Sequence, residues 1–185
     1  MRTLIIFCSL ILCVQMVNAQ KLQLPFKNES VNYEGVIKTS STFSNEEICK
    51  QIKNWLLISS KKMDLTIVSL KERDCTIEVE LSSILEPNGI FNDVICNYNI
   101  LVTNKENELN YIFTNLYFSK NKQQYKVDEV YLGYLKREPV TVAGVESRRA
   151  TLRRHEYILS VLDSQMNNII ISLNSYLIKN DVAIK

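Results

Sequence analysis

The chain has 185 residues, 46% hydrophobic and 23% charged, with only 4 Gly and 3 Pro, which excludes collagen-like, low-complexity and wholly disordered chains and fits one globular domain. Lys plus Arg total 22 against 20 for Asp plus Glu, a formal net charge of +2, so no strong electrostatic drive toward nucleic acid or an anionic membrane exists. A single His leaves little material for a histidine-rich metal centre.

Residues 1–19 read as a secretory signal peptide. Arg2 supplies the positive start, residues 4–17 are apolar apart from Ser9 and Gln15, and Val17-Asn18-Ala19 sets small residues before a cut between Ala19 and Gln20. The run is shorter than the ~20 apolar residues that cross a bilayer, which argues against an anchor. Cys13 closes the sequence Leu10-Ile11-Leu12-Cys13, but bulky Ile11 and Leu12 stand where lipoprotein processing favours small residues. The expectation is an unlipidated product in the periplasm or at the cell surface, with no transmembrane helix once the signal is removed. Cleavage leaves Cys49, Cys75 and Cys96, an odd set that cannot pair completely. A Cys75–Cys96 bridge and buried thiols throughout are both compatible with it.

Residues 20–30 are polar around Pro25 and are expected to form a flexible leader. Residues 31–37 follow as a short strand. Ser44-Asn45-Glu46-Glu47 matches a capping box, with Ser44 capping an early N–H while Glu47 reaches back. Behind it Ile48, Ile52, Trp55, Leu56 and Ser59 recur at spacings of three and four, predicting an amphipathic helix over 44–60, with Lys61 and Lys62 beyond its end as the helix dipole prefers. The period then switches to two. Residues 63–70 form a mostly apolar strand, and Cys75, Ile77, Val79 and Leu81 alternate with Thr76, Glu78 and Glu80. After a turn at Pro87-Asn88-Gly89, a second alternating series holds Val94, Cys96, Tyr98, Ile100 and Val102. A hairpin loop at 104–107 leads into an aromatic strand over 109–118. Residues 119–124 read as a basic, polar stretch and 127–135 as one more strand. A linker at 139–147 precedes a long helix from about 148 to 177, and 181–185 is a tail.

Sequential strands joined by short turns favour an antiparallel sheet. The expected fold is α+β: five to six antiparallel strands with two helices on one face, in the order β-α-β-β-β-β(-β)-α, within a single domain over 31–180. The other sheet face is left open.

Tyr33-Glu34-Gly35-Val36-Ile37 before the first helix, and Glu46-Glu47-Ile48 leading to Lys53-Asn54-Trp55-Leu56 on it, resemble the start of a known domain. The strand Asn97-Tyr98-Asn99-Ile100-Leu101-Val102 and the strand over 107–116 are similar to its later hairpin. That domain is one of unknown function with a TATA-binding-protein-like (TBP-like) fold, found in exported proteins of Bacteroidota-type bacteria. The resemblance covers roughly residues 30–120, and residues 71–76 depart from it by lacking glycine. It implies a TBP-like fold and carries no catalytic residue to transfer. DNA binding does not come with the fold, because Glu78 and Glu80 on the open face would repel phosphates.

Arg148, Arg149, Arg153, Arg154 and His155 form the densest basic cluster. Arg149 and Arg153, four apart, share a helix face and could grip a carboxylate, a phosphate or a lipid headgroup; a solvated face offset by Glu146 and Glu156 is the plainer reading. A Cys–His nucleophilic pair would need His155 beside an exposed thiol, yet all three cysteines fall on or beside apolar stripes. Glu78 and Glu80 point to one strand face, where carboxylates could hold a cation or act as acid and base, although such alternation is routine on a half-exposed strand. Tyr98, Tyr111, Phe113, Tyr117, Phe118, Tyr131 and Tyr134 could line a groove for sugar or peptide or simply pack a β-core. Asn28-Glu29-Ser30 matches a glycosylation acceptor, which carries little meaning in a bacterial protein. No HExxH, GxSxG, Walker or paired CxxC pattern occurs.

The functional expectation is an exported, non-catalytic binding or structural module of the bacterial cell envelope, without cofactor, metal or nucleic acid, contacting an envelope protein or small ligand. An envelope hydrolase with an unrecognised site, and a membrane-surface protein using Arg148 to Arg154, are the alternatives.

Overall fold

The computed structural model describes residues 22–40, 44–73, 76–85, 94–105, 107–137 and 148–180. The expected signal peptide with Cys13 and its Ala19–Gln20 cut, Cys75, the expected turn at Pro87-Asn88-Gly89, and the expected linker over 139–147 and tail over 181–185 lie outside them.

The first elements are two short strands, β1 (Phe26–Lys27) and β2 (Ser30–Val31), paired antiparallel around a turn at Asn28 and Glu29. Both turn residues have positive φ, 52° and 62°, the conformation of a two-residue hairpin loop. The leader expected over 20–30 is therefore corrected: its second half is a hairpin. Neither turn position is a glycine, and the apolar residues that hold the segment, Leu24 and Val31, are too few to form a periodic pattern.

A six-stranded antiparallel sheet follows. Its strands are β3 (Tyr33–Lys38), β4 (Leu65–Arg73), β5 (Thr76–Ile84), β6 (Ile95–Lys105), β7 (Glu108–Lys120) and β8 (Gln123–Lys126). The order across the sheet is β3-β7-β6-β5-β4, with β8 also paired to β7. Alternation decides which face is covered. Ile77, Val79, Leu81 and Ser83 of β5 and Cys96, Tyr98, Ile100, Val102 and Asn104 of β6 are buried, while the residues between them are exposed or half-buried.

Helix α1 (Asn45–Lys62) opens on the expected capping box, with both reciprocal bonds formed between Ser44 and Glu47. Its stripe of Ile48, Ile52, Trp55, Leu56 and Ser59 is buried. Helix α3 (Arg148–Lys179), about 48 Å long at 1.5 Å per residue, buries His155, Ile158, Leu159, Leu162, Met166, Ile169, Leu173 and Leu177. It spans the covered face: Gln165 donates to Ser83 of β5 at 3.0 Å, and Asp163 accepts from Tyr33 of β3 at 2.9 Å. Trp55 Nε1 of α1 donates to Ser172 of α3 at 3.2 Å. Each large apolar side chain so enclosed contributes about 1.5–3 kcal/mol, so the core between sheet and helices dominates stability.

Residues 127–135, expected as a strand, form a third helix, α2 (Val127–Lys136). The β-formers Val127, Val130, Tyr131 and Tyr134 mislead by type, but their spacing of three, one and three is helical. Asp128 and Glu129 in the first turn favour that end of the helix dipole, and Arg137 closes it in the left-handed conformation, φ 57°. Among the described residues there are thus three helices where two were expected, with a hairpin ahead of β3. The polar stretch over 119–124 holds the turn at Asn121 and Lys122, again with positive φ, and the start of β8.

Candidate functional site

Strand β7 carries an irregularity that shapes its surroundings. Asn97 of β6 pairs with Tyr117 and Asn99 with Thr114, so the single residue Tyr98 faces both Asn115 and Leu116. This is a β-bulge, and Asn115 takes its left-handed position, φ 54°, where Asn is among the best-tolerated non-glycine residues. On the outer edge of β7, β3 pairs over residues 108–113 and β8 over 117–120. The bulge therefore separates two strands that share one edge and leaves a notch between them.

The notch is a half-open cavity of about 480 Å³ lined by Ser30, Asn115, Leu116, Tyr117, Gln124, Lys126, Asp128 and Glu129. Asp128, at the start of α2, holds one wall: its carboxylate accepts from the Val31 backbone N–H at 2.7 Å and from Ser30 Oγ at 3.3 and 3.4 Å. Leu24 N–H donates to Tyr131 Oη at 3.1 Å, and the Phe26 and Tyr131 rings meet edge-on at 5.3 Å. The segment running into β2 is thus fastened to α2.

Two further depressions continue from the notch. One, of about 500 Å³, shares Ser30 with it and includes Phe26, Asn32, Glu34 and Ile112. The next, of about 490 Å³, shares Glu34 and Ile112 and includes Val36, Leu101, Thr103 and Asn110. Together they trace a groove from the N-terminus of α2 onto the uncovered sheet face. Its middle is apolar, at Ile112, Leu101 and the exposed Val36, and its flanks mix neutral polar residues with charges of both signs, at Lys27, Glu34, Lys126, Asp128 and Glu129. Asn32 Oδ1 is buried there without a hydrogen-bond partner.

The basic cluster divides. Arg149 and Arg153 are exposed on α3, Arg154 is half-buried, and His155 is 1% exposed, within the apolar stripe; the side chain of Arg148 lies outside the described residues. His155 is therefore corrected as a contact residue: it sits three residues before Ile158 and four before Leu159, on the helix face that packs on the sheet. Cys49 and Cys96 are buried thiols, and burial pushes Cys96 far above the ordinary thiol range, the reverse of what a nucleophile needs. Glu78 is exposed and Glu80 half-buried on the uncovered face. Of the aromatic set, Tyr98, Phe113, Phe118 and Tyr131 are core, whereas Tyr117 lines the notch. Among the described residues no cluster of three or more His, Cys, Asp or Glu is placed to hold a metal ion, and no helix is long and apolar enough to cross a membrane.

The architecture has counterparts among solved structures. The chain is similar to the crystal structure of a TBP-like protein from Parabacteroides distasonis, with TM-score 0.52 and 19% identity over 80% of this chain and 96% of that one. The fold is TBP-like. A DUF4468 family protein from Bacteroides ovatus is similar as well, with TM-score 0.51 and 18% identity over 81% of this chain and 90% of that one. Neither a protein-family model nor a curated protein matches the sequence. The TBP-like fold and the likeness to a Bacteroidota domain of unknown function are thus those the resemblance implied.

The arginines and glutamates were visible as candidates because charge is visible in sequence. The notch was not, because it depends on which strands share the β7 edge. The signal that could have found it is Asn115, a turn-forming residue interrupting an aromatic strand.

Proposed function

We propose that the protein is an exported binding module of the bacterial cell envelope, without chemistry of its own, that takes its ligand along the groove from the β7 notch to Ile112. The observation that carries this reading is the continuity of the groove: three depressions share lining residues in series and combine an apolar centre with polar flanks of mixed charge, the composition expected of a recognition surface. The signal sequence at 1–19 supports export, and the resemblance to exported Bacteroidota domains supports the envelope.

Photo-cross-linking in the source cells tests it. A photoreactive residue at Ile112 should capture a discrete adduct in the envelope fraction that the same group at exposed Lys50 of α1 does not. The intact mass of the purified protein should begin at Gln20. An adduct from position Arg153 alone would move the contact to the arginine face, and retention of residues 1–19 in a cytoplasmic product would sink the export reading.

A further inference from the structure

We propose that the notch at the β7 bulge is a saccharide-binding site. This assignment rests on the binding-module reading and names its ligand class.

The lining argues the chemistry. Apart from Leu116, every side chain around the cavity is of a type that can hydrogen-bond, and donors and acceptors are mixed: amides at Asn115 and Gln124, carboxylates at Asp128 and Glu129, hydroxyls at Ser30 and Tyr117, an ammonium at Lys126. Vicinal sugar hydroxyls each donate and accept, so they satisfy such a mixture. An anionic ligand such as a phosphate meets two carboxylates against one lysine. An apolar ligand would strip water from these groups and return no hydrogen bonds, at a cost of kilocalories per group. A peptide side chain would find only Leu116 and one ring to bury against.

The geometry adds two features. Tyr117, half-buried on the uncovered face, presents an amphipathic ring whose face can take the C–H side of a pyranose while its hydroxyl stays wet. The walls come from β2, β7, β8 and α2, and the Asp128 bonds to Ser30 and Val31 fix two of them together before any ligand arrives. The cavity opens onto the groove at Ser30, so a longer glycan can extend from it.

A glycan array of neutral and amino-sugar oligosaccharides, probed with the mature protein, followed by an NMR titration with the best-bound glycan, tests the site. Amide shifts should cluster at Asn115, Tyr117, Gln124 and Glu129. Tyr117→Ala and Gln124→Ala should each weaken binding roughly tenfold, and Lys50→Ala should not. Gln124 is exposed on a short edge strand, so its variant keeps the test valid if Tyr117→Ala is poorly folded. No array signal above background, or shifts centred on α1 or α3, overturns the assignment. If the Ile112 cross-link persists in that case, only the ligand class has failed; if it is also missing, the binding reading has failed with it.

Discussion

The backbone N–H of Val31 donates to Asp128 Oδ1 at 2.7 Å, joining positions 97 residues apart in sequence. This bond and the Ser30 hydroxyl contacts hold the β1–β2 hairpin to α2. Removing a half-buried acceptor strands its donor, which costs about 1–3 kcal/mol. Asp128→Ala should lower stability by that amount and speed amide exchange over residues 22–31 more than in α1. Uniform exchange across the chain would show that the hairpin is held by something else.

Gly35 and Tyr111 make a second such pair. A Cβ on Gly35 would run into the Tyr111 ring and hydroxyl, which lie across the glycine from the neighbouring strand. Gly35→Ala should therefore destabilise despite the better strand propensity of alanine, by about 1–3 kcal/mol as overpacking does. In the Tyr111→Ala background the same substitution should cost much less. Equal costs in both backgrounds would remove the ring as the cause.

Trp55 separates packing from hydrogen bonding where α1 meets α3. Trp55→Ala should cost about 3–5 kcal/mol through the cavity it leaves. Ser172→Ala, which removes the partner of the indole N–H and of the Ser59 hydroxyl without opening a large cavity, should cost about 0.5–1.5 kcal/mol. Denaturant unfolding of both variants checks the ordering.

Alkaline pH should weaken the fold. Burial first, then the neighbouring Asp163, raises the Tyr33 phenol well above its ordinary value, and burial does the same for Tyr98 and for the Cys96 thiol. In the native state these groups stay neutral, while in the unfolded chain the thiol ionises near pH 8.5 and the phenols near 10. The unfolded state then binds fewer protons, so stability is fully present below about pH 8.5 and falls as pH rises through 9 to 11. Tyr33→Phe should flatten that decline. Constant stability from pH 8 to 10.5 would falsify the account.

Local rules made some of this legible. The capping box at Ser44 and Glu47 and the period-two runs through β5 and β6 depend on neighbours in sequence, and the structure has them as expected. Helix α2 was misread because Val127, Val130 and Tyr131 favour strands by residue type, while their spacing and the acidic first turn favour a helix. The β1–β2 hairpin was hidden because Asn28 and Glu29 take a turn that usually announces itself with glycine. The notch lay beyond local reading altogether, since Phe113 and Tyr117 acquire different outer neighbours only once β3 and β8 dock on the same edge. Within the arginine cluster, counting back from Ile158 would have turned His155 inward.

The kink at Asn115 also sets how the chain can change in length. Exchanging that residue alters how sharply β7 turns. Deleting it would take the extra residue out and leave a regular ladder, with Leu116 alone opposite Tyr98 while Tyr117 keeps Asn97 and Phe118 keeps Cys96. A lineage carrying this layer can therefore gain or lose the bend by one residue without changing which side chains face the helices, whereas a bulky or β-branched letter at 115 would have to bear the left-handed backbone.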